Sequence, residues 1–537
     1  MHSKTIELSH DDQFIKNIED SDTVLTQFFE YDAMDSESYQ LKMNSSNNGR
    51  EQGVSEIIQQ YMAGLDLSSE QLDNLKALSH GAKVVIGGQQ AGLLGGPLYS
   101  FHKIFSIITL ARSLKDKFSE QIVPVFWIAG EDHDFDEVNH TFAYNQGEAN
   151  LNKVKYHTLK PPQNSVTHYH PSKSDLKVAV RDFFKELPET EHTKPLIEMC
   201  EEIIMTNDNW SDMFRALIHQ VFKEYGLLII DAQFKPLREY EKSFLKSLLY
   251  NHQSIDQAFK QAQTDVEHQG LKKMIQTESN VHLFIEEDEV RELLTFEEGS
   301  YKTSKSNKYY TYDELVSLID NEPERFSNNV VTRPLMQEWL FNTIAFIGGP
   351  SEIKYWAELN QIFKVLEIEM PIVLPRLRIS YLNARTEKLL SRYQVDTSTA
   401  IEGGLEKYKS EFIRSKASSS FIQQVEHMQK RQSELYKLLK LEVKGNNDNE
   451  LLVDKNNEIH QKQYEYLLQR YLLNIEREND ISMKHFREIE SVLHPMGGLQ
   501  ERIWNPLQIM NEFGTDVFSR STFPPLDYTF KHILVKP

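Results

Sequence analysis

Five short apolar runs stand out along a chain that is otherwise dense in polar side chains. They are KVVIGG around Val85, IVPVFWIAG around Val125, YGLLIID around Leu228, NTIAFIGG around Ala345 and MPIVLPR around Ile372. A continuous apolar run of strand length is the mark of a strand buried on both faces. Between these runs apolar residues recur every three or four positions. IFSIITLARSL follows the first run, SDMFRALIHQVFKEY precedes the third, and SEIKYWAELNQIFKVL joins the last two. Strands alternating with helices of this length predict an α/β fold with a mostly parallel sheet covered on both faces.

Two stretches break that rhythm and read as small inserts, at about 141–190 and about 245–315. The first is polar, with PP and HP turns and three histidines near His168; the second, with VHLFIEEDEV and YKTSKSNKYYTY, predicts an antiparallel hairpin excursion. From about Leu382 the pattern is helical throughout. One segment carries Phe421, Val425, Met428, Leu435, Leu438 and Leu439; after a polar break at Asn446 the next carries Tyr464, Leu467, Leu468, Tyr471, Leu472 and Ile475. Two long amphipathic helices joined by a polar turn predict an antiparallel coiled coil. A lone hairpin has little against which to bury its outer stripe, so a homodimer is the expected use of it. The alternative is that the stripe packs on the main domain. The expected division is a core over 1–380, a helical domain over 381–490 and a tail over 491–537 that packs back on the core.

Composition narrows the classes. With 537 residues, 39% hydrophobic and 11% aromatic, the chain can bury a large core. Its formal charge of -21 argues against a general nucleic-acid or membrane-surface binder. Cys200 is the only cysteine, which rules out an internal disulfide and fits a reducing compartment. Its neighbours, IEMCEEIIM, predict a half-buried helix and a core thiol. The opening MHSKTIELSH has no apolar signal core, and no run of about eighteen apolar residues is present, so the expected location is the cytoplasm.

The candidate chemistry lies at strand ends. VVIGGQQAGLLGGPLYSFHK has five glycines and no acidic residue. Gly88, Gly92 and Gly96 permit close backbone approach, the following helix start leaves N–H groups free, and Gln89, Gln90, Ser100 and His102 add donors. An anion pocket and a structural turn both explain it. WIAGEDHDFDEVNH places Asp132, His133, Asp134, Asp136 and Glu137 beyond the second run, where ligands collect in open sheets. His133 is placed to take a proton, and Asp132 or Asp134 to orient it or to hold Mg²⁺. A solvated acidic loop is the plain alternative, and a zinc site through His133 and His140 the weakest. ERFSNNVVTRPLMQEW offers Ser327, Asn328, Asn329 and the forks of Arg325 and Arg333. FIGGPSEIKYW repeats the design of strand, glycines, proline and helix, with Gly349, Glu352 and Tyr355. Glu352 there either caps the helix or grips an ammonium. In PRLRI, alternation sends Arg376 and Arg378 to one face. HPMGGLQERIWNP reads locally as a loop.

Taken together and in order, GGQQAGLLGGPLYSFHK, WIAGEDHDFDEV, PERFSNNVVTRPLMQEW, GGPSEIKYWAEL and HPMGGLQER resemble the bacillithiol biosynthesis cysteine-adding family, BshC, and they run from residue 87 to residue 502. The resemblance implies a Rossmann-like core with two connecting inserts, similar to class I aminoacyl-tRNA synthetases, and a dimerising C-terminal coiled coil. It implies a ligase that joins L-cysteine to the amine of glucosaminyl malate, completing a low-molecular-weight thiol. A free carboxylate resists amine attack, so ATP, with Mg²⁺, is the expected source of activation. The anion would face Gly88, Gly92, Gly96, Gly349 and His102, with Lys103 as charge partner. Asp132 or His133 would serve as base. Arg376 or Arg333 suits the malate carboxylates, and Asn329 the sugar hydroxyls. No tightly bound metal is expected. Two other readings stay open: another nucleotide-dependent transferase on the same core, and a non-catalytic dimeric scaffold.

Overall fold

The structure is a computed structural model that describes residues 1–8, 13–22 and 27–537. Its five central strands are β1 (Val84–Gln89), β2 (Val123–Ile128), β3 (Leu228–Asp231), β4 (Thr343–Gly348) and β5 (Ile372–Pro375). They are the five apolar runs. They form one all-parallel sheet in the order β5-β4-β1-β2-β3. The order reverses between β1 and β4, and such a switch point opens a crevice beyond the carboxyl ends of the strands. Every residue of β2, β3, β4 and β5 is buried, which is why these strands show no polar alternation.

The helix Tyr99–Phe118 follows β1 and lies against β1, β2 and β4. The helix Trp210–Phe222, capped by the Asn209 side chain on the Asp212 N–H, leads into β3. Cys200 is buried in the helix Thr193–Thr206, and burial pushes its thiol up to about 12. Between β3 and β4 the chain builds a second sheet of five strands. Its order is Tyr309–Tyr310, Ser300–Thr303, Val290–Glu297, Leu283–Glu287, Phe326–Asn328, antiparallel throughout. A third, small sheet pairs the tail strand His532–Lys536 with His2–Ile6 and with Arg378–Tyr381.

The chain divides into two compact units. One comprises Met1–Asn145, Leu151–Leu382 and Leu499–Pro537; the other comprises Gln146–Asn150 and Asn383–Gly498. The second unit is helical. Its long pair, Ser419–Glu442 and Asn447–Glu478, is an antiparallel hairpin. The register shows in Phe421 against Tyr471, Ser433 against Gln461 and Lys440 against Asp454. Leu435, Leu438, Leu452 and Ile459 of this hairpin are at least half exposed. No helix among the described residues is long and apolar enough to cross a membrane.

Candidate active site

The glycine pairs Gly87–Gly88 and Gly348–Gly349 end β1 and β4, the two strands that flank the switch point. A Cβ at Gly87 would stand 2.6 Å from the Ile347 carbonyl oxygen, and one at Gly88 2.8 Å from that of Trp127. Glycine is required there because neighbouring backbones leave no room for a side chain. The loop that follows closes on itself. A Cβ at Gly92 would stand 2.6 Å from the Gly96 Cα, and Gly96 takes a φ of +70°. The Asn505 amide donates to the carbonyls of Leu94 and Gly96, each at 3.1 Å, and Trp504 accepts the Leu98 N–H at 2.8 Å. Expected to face a phosphate, the loop here has its Gly92 and Gly96 backbones in contact with each other and with the tail. Those glycines let the loop pack against itself and the tail. Ser100, expected to touch substrate, is 1% exposed below Gly96.

Lys103 is also buried. Its ammonium donates to the Gly88 carbonyl at 2.5 Å, Gln89 Oε1 at 3.0 Å and Glu352 Oε2 at 2.6 Å. Glu352 in turn accepts the Gly349 N–H, which is the capping arrangement. Burial pushes the Lys103 ammonium down. Burial alone would raise Glu352, but the charges of Lys103 and Arg333 outweigh it and hold the carboxyl low. Lys103 is thus already balanced by Glu352, and the Gly349 N–H is already taken.

Arg376 reaches over the same helix start. Its Nη1 lies 2.8 Å from where a Gly349 Cβ would be, its guanidinium faces the Tyr99 ring at 5.3 Å, and its Nη2 donates to Glu501 Oε1 at 2.5 Å. Its Nε is buried without a partner. Glu501 also accepts from His102 Nδ1 at 2.8 Å, and Tyr381 Oη lies 3.3 Å from His102 Nε2. Burial would raise the Glu501 carboxyl; Arg376 and His102 bring it down to about 2. His102, expected among the reacting groups, is wholly buried with both ring nitrogens engaged, and it orients Glu501. Arg378 does not share a face with Arg376. The chain leaves the central sheet at Pro375, and Arg378 donates to the Phe530 carbonyl at 2.8 Å.

Beyond β2, Asp132 accepts from Gln90 Nε2 at 2.5 Å and from the His133 N–H at 2.7 Å. Burial would raise its carboxyl; donation from His133, the Arg291 charge and Gln90 hold it well below the usual carboxylate range. Arg291 lies on Phe284 with its guanidinium 3.8 Å from the ring centre, and donates to Ser327 Oγ, the Asn328 carbonyl and His133 Nδ1. His133 Nδ1 lies 3.1 Å from Arg291 Nη1 and 3.6 Å from Asp132 Oδ1; because an arginine only donates, the shorter contact favours the tautomer with its proton on Nε2. Glu137, an exposed residue near Gln90, is pushed up by partial desolvation and by the Asp134 charge. Asp134 itself is exposed. His140 turns to its own loop, with Nδ1 3.0 Å from the Asp136 carbonyl.

Arg333 Nη2 donates to Tyr355 Oη at 2.6 Å, and its charge acts on Glu352 and Lys103. Asn329 is corrected to a local cap. Its carbonyl oxygen accepts the N–H groups of Val331 and Thr332, and its amide lies 3.3 Å from His282 Nδ1. Its neighbour Asn328 has both side-chain polar atoms buried without a partner, as does Glu131 Oε1 beside it. The strand ends thus bring together Gln89, Gln90, Asp132, His133, Arg333, Glu352, Tyr355 and Arg376. Carboxylates and guanidinium groups both stand at these strand ends, a set suited to a ligand carrying both ammonium and carboxylate groups.

Arg291, Glu137, Tyr99 and Glu501 were missed or left unassigned by sequence reasoning. Arg291 sits in a strand of the insert, where VRELLTFEE shows only surface alternation. Glu501 lies in HPMGGLQERIW, whose polar residues were visible but whose distant partners were not.

Residues 1–377 match the family model described as the bacillithiol biosynthesis BshC N-terminal Rossmann-like domain, and residues 379–537 match the BshC C-terminal coiled-coil domain. A protein of Staphylococcus saprophyticus named "Putative cysteine ligase BshC" is 59% identical over 530 residues, which cover 99% of each chain. Proteins of the same name from Staphylococcus aureus strains MRSA252 and Newman are 57% identical over 537 residues, covering 100% of each chain.

Proposed function

The chain belongs to the BshC family of bacillithiol biosynthesis, whose curated relatives are named as cysteine ligases, and from that premise we propose that it joins the carboxyl of L-cysteine to the amine of glucosaminyl malate. The observation that carries this reading is the gathering of Asp132, Arg333 and Arg376 beyond the carboxyl ends of β1, β2, β4 and β5. Cysteine presents an ammonium and a carboxylate, and glucosaminyl malate presents an amine and two carboxylates. Arg376, with an unpartnered Nε, suits a malate carboxylate, and Arg333 with Tyr355 a second. Asp132, held ionised, suits the cysteine ammonium.

Amide formation requires the attacking amine to lose a proton. A carboxyl held far below neutrality is a weak acceptor, and His133 carries its proton on the outward nitrogen. Glu137, pushed upward and next to Gln90, is the better matched base, while His133 Nε2–H donates to the developing oxyanion. A free carboxylate still needs activation, and ATP is the ordinary chemical source. No step is assigned to it at the glycine loops, which are filled by the chain itself.

The test is a mixture of enzyme, cysteine, glucosaminyl malate, ATP and Mg²⁺, followed by mass spectrometry for the thiol product and chromatography for nucleotide cleavage. Product that depends on Asp132 and Glu137 supports the reading. Undiminished turnover in Asp132→Asn and Glu137→Gln together refutes the residue roles, and product without nucleotide cleavage refutes ATP as the activator. We further propose a homodimer through the helical hairpin, because its half-exposed leucines lie along one long element.

A further inference from the structure

The amino ends of β1 and β4 carry a second polar cavity, at the opposite end of the same two strands from the glycine pairs. Its volume is about 500 Å³, within the range of about 300–1,000 Å³ that small-molecule sites occupy. Lys83, which precedes β1, and Thr343, which opens β4, both line it. A strand of this length spans about 20 Å, so the cavity is separate from the candidate active site.

Lys83 is 6% exposed. Its ammonium donates to the Ser45 carbonyl at 2.8 Å, Ser45 Oγ at 3.0 Å and Asn47 Oδ1 at 3.3 Å, all neutral. Among the described residues no carboxylate lies within ion-pairing distance of it. A second buried ammonium, Lys42, acts on Lys83 with its like charge, and Glu369, Glu51 and Glu120 act on it from beyond contact distance; Glu369, the partner of Lys42 at 3.3 Å, is partly exposed. A buried ammonium held only by neutral oxygens, with a second ammonium nearby, favours an incoming anion. The Thr343 hydroxyl is buried on the cavity wall beside the Glu338 carboxyl, with no other partner. Glu338, also on the wall, is pushed up to about 8 by burial, and Glu367 and Glu369 line the cavity as well. Arg50, lying 4.0 Å over the Trp339 ring, supplies a third cation at the rim.

We propose that this cavity binds the phosphate monoester of a small polyol or sugar. Its oxyanion lies between Lys42 and Lys83 and accepts from Thr343, and its hydroxyls take the remaining space beside Ser243 and Ser247. The cavity is several times larger than one phosphate, which is why a hydroxylated tail belongs to the proposal.

The experiment titrates the full-length protein by calorimetry with inorganic phosphate and with glycerol phosphate, at constant ionic strength and pH 7. The expected result is one saturable site per chain, filled more tightly by glycerol phosphate. Affinity falls at least tenfold in Lys83→Met and severalfold in the nearly isosteric Thr343→Val, and is unchanged in Arg376→Ala. Thr343→Val keeps the test open if Lys83→Met fails to fold. Absence of saturable binding overturns the proposal. So does binding that survives Thr343→Val and Lys83→Met but is lost in Arg376→Ala, which would place the anion in the active site. Phosphate bound more tightly than glycerol phosphate overturns the polyol assignment.

Discussion

Glu501 is the buried carboxylate that holds Arg376 and His102 together, and Glu501→Gln isolates its charge while keeping its volume. The carboxyl falls from 4.5 to about 2 in the folded protein. At about 1.4 kcal/mol for each tenfold change in proton affinity, that is about 3 kcal/mol of stability at pH 7. The figure agrees with the cost of about 3–5 kcal/mol for removing one partner of a buried ion pair. Because the folded value is depressed, the stabilisation is present above 4.5 and is lost as pH falls through about 2. The gap between wild type and variant should therefore shrink to less than half by pH 3. All five tryptophans, Trp127, Trp210, Trp339, Trp356 and Trp504, belong to the first compact unit. Urea unfolding followed by tryptophan fluorescence therefore reports on the unit that holds Glu501. The variant should also raise KM for glucosaminyl malate, since Arg376 loses the contact that aims it. A variant within about 0.5 kcal/mol of wild type at pH 7, or a gap that does not change with pH, would refute the account of this network.

Arg291→Gln should release His133 Nδ1. Nitrogen NMR of labelled histidine should show the Nε2–H tautomer in the wild type and a mixture in the variant, with kcat/KM down about 10–100-fold. Paired substitution of Leu438→Glu and Leu452→Glu should convert a dimer to a monomer in light scattering, with helical circular dichroism preserved. Cys200, with its thiol at about 12, should stay unreactive toward iodoacetamide at pH 8 in the native protein. Only about one thiol in ten thousand would be ionised, and full reactivity should appear on unfolding.

The sequence alone determined the elements whose signal is local. Five apolar runs became five parallel strands because a strand buried on both faces must be apolar along its whole length. The helical hairpin was legible because a periodicity kept over many turns can satisfy only a helix. The residue types at the strand ends were visible too, and Gln90, Asp132, Arg333, Glu352 and Arg376 do gather there. What only the tertiary structure decided is which of those groups remain free to meet a ligand. Lys103 and Glu352 are 249 residues apart and neutralise each other, and His102 is tied to Glu501 across 399 residues. Arg291 comes from an insert whose pattern shows nothing of its target. Partners at such separations leave no periodic trace. A side chain's charge, tautomer and accessibility belong to its neighbours in space, and those neighbours exist only once the chain has folded.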